Sequence, residues 1–385
     1  MGLPLAIAAS KANFKVVGID LNSEKLKNFE AGIEVVEGVD SLELSKMIKS
    51  KDLVVTNDFS EIKESEIVVV CVPTPLTDKS EPDLSHILSA TDQLAVHIGP
   101  KTLIIFESTV SPGTTRDILT PRLMKISRVS MDESLVAFSP ERTDPANLLW
   151  HLKNTPKLVA GLNKFSTSLA CDFYSEFVDN VVVCDSLEIA ETAKLLENTF
   201  RLINISFVNE LAKFCDKAGI DILSVIEAAK TKPYGFMPFY PSLGVGGHCI
   251  PVDPIYLSVK ADEVGSPISM LKTAHKINLD RPKYFVSRAR DILGDFKGRK
   301  ILIVGVAYKP NVSDVRESPV EKLILELRNE GASVAWHDDL VKDWQDEKSV
   351  PLGKGFDLAI LATPHDYLDL TKLGDVPILN TRGSI

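Results

Sequence analysis

From Ser186 to Ala218 the chain contains neither glycine nor proline, and its apolar residues recur at helical spacing. Such a run reads as one helix of roughly 30 residues, ended by Gly219. Apolar side chains lie around much of it. A helix of this kind is expected to be buried between domains or between two copies of the chain. It therefore forbids a single small domain and splits the sequence into unlike parts.

Before it, short β-branched runs alternate with longer amphipathic stretches. Phe14–Asp20, Glu66–Pro73, Thr102–Glu107, Leu135–Ser139, Leu158–Gly161 and Val181–Cys184 read as buried strands. The alternation predicts a parallel sheet with helices on both faces. After it, helical signal returns from Pro254 to about Leu293. The α/β pattern resumes at Lys300 with KILIVGVAYKP, a helix from Ser318 to Glu330 and GASVAWHDD, and further strands follow at Phe356–Thr363 and Pro377–Asn380. ANFKVVGIDLN and EGASVAWHDDL share one plan of helix end, strand and acid, as half of a βαβ unit used twice. The fold expected is α/β, with two Rossmann-like domains joined by a long central helix and an all-helical middle domain. The boundaries are 1–185, 186–293 and 294–385.

Composition narrows the function. Hydrophobic residues make up 44% of the 385 and charged residues 25%, with 21 Gly and 22 Pro, which excludes disordered, collagen-like and disulfide-scaffold chains. A net charge of −10 repels phosphate backbones, so no nucleic-acid partner is expected. No apolar run approaches bilayer length and no secretory leader opens the chain, so no membrane partner is expected. Five widely spaced cysteines without metal-ligand spacing suit reduced thiols, no metal and a cytoplasmic location.

At the start, Gly2 opens a helix, and Asp20 stands at the end of the strand that follows. A strand-end acid accepts hydrogen bonds from an adenosine ribose and repels a 2′-phosphate, which selects NAD; a plain helix cap is the competing reading. The preceding strand and the first two glycines of the fingerprint are missing. A start placed too far downstream is the expected reason, with poor NAD binding and a gap in the first sheet as consequences.

Gly244-Val245-Gly246-Gly247-His248-Cys249-Ile250-Pro251-Val252-Asp253-Pro254 carries the chemistry. Its glycines are expected to let the backbone approach a ligand. They deliver Cys249 at the start of a helix, where the dipole lowers a thiol pKa, and Asp253 follows four residues on. His248 is read as structural, because adjacent side chains seldom face each other. On the long helix, Lys194, Asn198 and Arg201 form a polar stripe at i, i+4 and i+7. Lys194 and Asn198 there can supply donors to a developing oxyanion.

These segments resemble the UDP-sugar and GDP-sugar 6-dehydrogenases over nearly the whole chain. GGHCIPVDP is similar to their catalytic cysteine segment. CVPTP (Cys71–Pro75), ESTVSPGTT (Glu107–Thr115), SPER (Ser139–Arg142) and AYKPNVSDVRESP (Ala307–Pro319) resemble the other signatures, in the same order. The resemblance implies an N-terminal NAD domain, a central helix that forms a homodimer and a C-terminal UDP-binding domain. It implies oxidation of a UDP-sugar at carbon 6 to a carboxylate with two NAD, in polysaccharide biosynthesis. Cys249 is then the nucleophile. Lys194 and Asn198 hold the oxyanion, Asp253 and a Thr109-bound water supply base machinery, and Glu141 assists hydrolysis.

Gly2, Asp20, Pro73, Thr74 and Thr109 are the implied cofactor contacts. Arg201, Tyr240, Gly244, Gly246, Gly247, Lys309 and Arg316 are the implied substrate contacts. His248, Ile250 and Tyr234–Tyr240 resemble the branch acting on UDP-N-acetylhexosamines, the last especially the UDP-N-acetylglucosamine enzymes; UDP-N-acetylmannosamine differs only at carbon 2. In the UDP-glucose branch, Ser and Phe are more usual at positions 248 and 250. Met1 and Asn380 depart from the family's usual Val and Asp. Two rivals stand beside this reading. A two-electron hydroxyacid dehydrogenase would need no nucleophilic cysteine. A nucleotide-sugar-binding protein without turnover would follow from the missing phosphate loop.

Overall fold

The computed structural model describes residues 2–31, 41–144, 147 and 149–383, so Met1 lies outside it. Two compact units are present, Met1–Leu196 and Glu197–Ile385.

The first unit opens with α1 (Gly2–Lys11), β1 (Val16–Ile19), α2 (Ser23–Glu30), α3 (Ser41–Ser50) and β2 (Leu53–Thr56). Strands β1 and β2 pair in parallel, Val16 opposite Leu53, as a sheet of their own. A second sheet holds β3 (Ile67–Val70), β4 (Leu103–Phe106), β5 (Leu135–Phe138), β6 (Lys157–Gly161) and β7 (Val181–Val183), in that order. Its helices are α4 (Ser85–Ala95), α5 (Thr120–Ser127) and α6 (Lys164–Ser175). Val16 and Val69 line the same apolar cluster as Leu5 and Ala9 of α1, yet β1 and β3 belong to separate sheets. The expected gap in the first sheet is thus present.

One expectation needs correction. The sheet is not wholly parallel, because β6 runs antiparallel to β5, with Phe138 opposite Ala160. No helix among the described residues joins these strands, and only a crossover would bring the chain back in the same direction.

Helix α7 (Leu187–Ala218) has 32 residues and runs from the first unit into the second. Gly219 ends it at a φ of +68°, and Ile220 N–H bonds back to Cys215 O at 2.9 Å. In the second unit follow α8 (Ile222–Lys230), α9 (Asp253–Glu263) and α10 (Ser269–Leu293), so this part is helical as expected. The final α/β layer has β8 (Lys300–Val304), α11 (Pro319–Asn329), β9 (Ser333–His337), the short β10 (Asp343–Trp344) and β11 (Glu347–Lys348), then β12 (Leu358–Leu361) and β13 (Ile378–Asn380). Its four-stranded parallel sheet runs β13-β12-β8-β9, with β8 in the interior. Ile301 and Ile303 of β8 pack with Val320, Leu323 and Leu327 of α11 in one core. Ser318 caps α11, as its place before Pro319 predicts.

Candidate active site

In the second unit, Cys249 is exposed on the turn before α9 and forms no disulfide. It is not at the helix start. The helix begins at Asp253, and Cys249 instead lends its carbonyl to Asp253 N–H at 2.8 Å. Pro251 and Pro254 account for this: proline disfavours helix at the residue before it but suits a helix's first turn. Asp253 is buried, and its Oδ2 accepts a 2.6 Å hydrogen bond from Asn198 Nδ2. That bond ties α7 to the first residue of α9.

The glycine loop also differs from expectation. A Cβ on Gly246 would lie 2.6 Å from Glu317 O, and one on Gly247 would lie 2.9 Å from the Tyr308 ring. Gly247 N–H bonds to Arg316 O at 3.0 Å. The missing side chains make room for the chain's own 308–319 segment. The loop is further held by Asn278, whose amide exchanges two hydrogen bonds with the Val245 backbone at 2.7 and 3.1 Å. Asn209 accepts from Ser242 N–H at 2.8 Å, and the buried Arg281 donates to Ser242 O at 2.9 Å. Asn278 and Arg281 went unread in the sequence because each is a single polar residue on a helix, with no motif around it.

Arg316 is exposed, fork-bonded to Asp314, and near enough to Cys249 for their charges to interact. A cation there favours the thiolate. Burial and the Arg316 charge push the His248 pKa down, which keeps the ring neutral. Tyr240 is exposed and its hydroxyl donates to Glu227 at 2.7 Å, while Lys309 lies 5.8 Å from the Tyr308 ring centre. The stripe on α7 is not one solvated face: Lys194 is half-buried, Asn198 buried and Arg201 exposed.

In the first unit, Asp20 ends β1 and is exposed. Its Oδ1 accepts from Asn22 N–H at 2.8 Å. The cap and a ligand acceptor can coexist, since a carboxylate has more lone pairs than this one bond uses. The first turn of α1, beginning at Gly2, holds no acidic residue to compete for an anion. Pro73 is exposed and Thr74 buried after β3, and Thr109 is half-buried after β4.

Glu141 is buried after β5, where its Oε1 accepts from the N–H groups of Arg142 and Thr143 at 2.7 and 2.6 Å. Lys157 Nζ lies 3.6 Å from its Oε2 and 2.8 Å from Glu107 Oε1. Burial opposes ionisation of Glu141, but the Lys157 charge and the two N–H bonds override it and bring the pKa down to about 2. A carboxyl lowered in this way stabilises the fold above its ordinary 4.5, and the contribution is lost as pH falls toward 2. It amounts to on the order of 3 kcal/mol. Urea titrations should therefore find wild type more stable than Glu141→Gln near neutral pH, with the gap closing in acid. A gap independent of pH would contradict an ionised Glu141.

Among the described residues no group of His, Cys, Asp and Glu could hold a metal ion, and no helix is long and apolar enough to cross a membrane. Residues 1–178, 188–280 and 302–380 match three parts of one family: the NAD binding, central and UDP binding domains of the UDP-glucose/GDP-mannose dehydrogenase family. Protein CapL of Staphylococcus aureus is 33% identical, covering 97% of this chain and 89% of its own. The UDP-N-acetyl-D-glucosamine 6-dehydrogenase of Pseudomonas aeruginosa is also 33% identical, over 95% of this chain and 88% of its own. The structure of a UDP-D-ManNAc dehydrogenase from Pyrococcus horikoshii superposes with a TM-score of 0.91 at 29% identity, covering 99% and 93% of the two chains. With matches of this extent in order along the chain, this protein belongs to the UDP-glucose/GDP-mannose dehydrogenase family.

Proposed function

We propose that the protein oxidises carbon 6 of a UDP-N-acetylhexosamine to the carboxylate, with Cys249 as covalent nucleophile. The observation that carries this reading is the local build around Cys249: an exposed thiol on a glycine-anchored turn, with a buried Asn198–Asp253 pair one turn on. NAD, when bound, accepts a hydride in each of two oxidations. The exposed carboxylate of Asp20 and the acid-free start of α1 suit its ribose and pyrophosphate. Pro73, Thr74 and Thr109 would complete that side.

Cys249 Sγ adds to the aldehyde as a thiohemiacetal. Loss of a second hydride leaves a thioester, and water releases the carboxylate and the thiol. Asn198 gives one amide N–H to Asp253 and retains another for the developing oxyanion, beside Lys194 one turn earlier on α7. Asp253 serves proton transfer at the thiol end, while Glu141 and a water on Thr109 serve hydrolysis. Arg316 and Lys309 meet the UDP phosphates, and Arg201, Tyr240 and the 244–247 loop meet the rest of the substrate. The roles divide along 1–185, 186–293 and 294–385, a division supported by the three domain matches.

Both N-acetyl epimers occur among the relatives' names, and the Tyr234–Tyr240 segment favours the gluco form. Two NADH per UDP-GlcNAc, exceeding the yield and rate from UDP-ManNAc and UDP-glucose, is the expected result. One NADH per sugar would refute the four-electron course. Binding without turnover is favoured by one observation, the separation of the β1–β2 pair from the main sheet, and zero NADH with tight UDP-sugar binding would establish it.

Asp20 sets a further expectation. NADP should support turnover at least about a hundredfold less efficiently than NAD, from like-charge repulsion of a few kcal/mol. Equal kcat/KM with both would leave Asp20 only its bond to Asn22. A second copy of the chain is the proposed partner for α7. Ile189, Leu196, Phe207 and Phe214 stand exposed on it at intervals of seven, eleven and seven residues, which keeps them along one face of the helix. Light scattering should give a dimer, and Phe207→Glu should yield monomer.

A further inference from the structure

Three of the N-terminal signature segments converge on a residue that belongs to none of them. Lys157, the first residue of β6, is 3% exposed, and its ammonium sits between the carboxylates of Glu107 and Glu141 at 2.8 and 3.6 Å. Glu107 also accepts a 2.5 Å hydrogen bond from Tyr174 OH of α6 and faces Cys71 Sγ at 3.6 Å. At 2.8 and 3.6 Å the ammonium acts on Glu107 directly and on Glu141 chiefly through its charge. It also stands 5.1 Å from the Tyr174 ring centre. Arg142, next to Glu141, is committed to Pro156 O at 2.7 Å. Burial and the Glu107 charge hold Cys71 and Tyr174 in their neutral forms. The cluster thus contains two carboxylates and one cation.

We propose that Lys157 is a positioning residue for the dehydrogenase reaction: its buried ammonium keeps Glu141 ionised and in one orientation. This rests on the role proposed above for Glu141 in hydrolysis of the thioester. The physical argument is charge balance. Two buried carboxylates in one apolar pocket do not both ionise without a cation between them, and one takes up a proton. The N–H groups of Arg142 and Thr143 bind only Oε1 of Glu141, so Oε2 depends on Lys157 for its countercharge. Arginine is long and cationic enough to serve both carboxylates, whereas methionine fills the space and leaves them uncompensated.

Lys157→Met should lower kcat at neutral pH by about tenfold or more while KM for NAD and UDP-sugar stays within about threefold. The acidic limb of the kcat profile should move up by about two pH units or more, and Lys157→Arg should return it toward wild type. Infrared difference spectra of Lys157→Met should also show a buried protonated carboxyl at neutral pH that the wild type lacks, a readout independent of turnover. If Lys157→Met does not fold, Lys157→Met with Glu107→Gln keeps the cluster's net charge, and a smaller upward shift of the limb is expected from it, because Glu141 is then buried without its countercharge but also without a second carboxylate beside it. A wild-type profile and no protonated carboxyl would overturn the proposal, as would equal loss with arginine and methionine. Full activity of Glu141→Gln, by contrast, would refute the hydrolytic role and leave the infrared result for Lys157 standing.

Discussion

Serine in place of Cys249 is expected to stop net acid formation, with kcat lower by about a thousandfold or more, the scale of loss when an enzyme is deprived of its nucleophile. The effect is chemical. Cys249 is exposed on a turn, so the fold does not depend on its side chain. Serine's alkoxide is a weaker nucleophile near neutral pH and a far poorer leaving group from an acyl intermediate than a thiolate. Wild-type protein quenched during turnover should carry one sugar-derived acyl group at Cys249 by mass spectrometry, and the serine variant none. Undiminished turnover by Cys249→Ser would remove Cys249 from the mechanism.

The largest stability loss is expected at Gly305, the residue after β8. Its φ is +82°, and an added Cβ would sit 2.1 Å from Thr363 O and 2.8 Å from Thr363 Cβ. The backbone cannot swing away, because Gly305 N–H is bonded to His337 O at 2.8 Å in the sheet interior. Left-handed backbone costs alanine about 1–2 kcal/mol and overpacking about 1–3 kcal/mol more. Gly305→Ala should therefore lose about 2–5 kcal/mol, a large share of a typical domain's stability. Gly353 has open space around its Cβ position and an ordinary φ, and Gly353→Ala should stay within about 0.5 kcal/mol of wild type. Urea unfolding monitored by tryptophan fluorescence checks both. Equal midpoints for Gly305→Ala and wild type would show that the strand end yields.

Local signals were the legible ones. The 32-residue α7 follows from an unbroken run without glycine or proline, and its end from Gly219. Most strands came from short β-branched runs, though β2 (Leu53–Thr56) escaped, lying between the charged Lys49–Asp52 stretch and Asn57-Asp58. Cys249 and Asp253 stood out by spacing. Whether that turn is already helical depended on Pro254, whose ring sets where α9 begins. The glycine loop was legible as close backbone approach, but not what approaches it, since Tyr308 lies 61 residues beyond Gly247 and Glu317 lies 71 beyond Gly246.

What the residues determined alone is therefore short-range: element type, element ends, the glycine-flanked turn that carries Cys249 and the acid at the end of β1. Each depends on φ, ψ and neighbours within a turn or two, where propensity and hydrogen bonding act directly. The tertiary structure alone decided the rest. It reversed β6 against β5, spent the glycine loop on the chain's own 308–319 segment, and placed Lys157 between Glu107 and Glu141. A lysine at the head of a strand carries no mark of burial in its own sequence. Only when three strand ends meet do two carboxylates create the charge that makes an ammonium stable there.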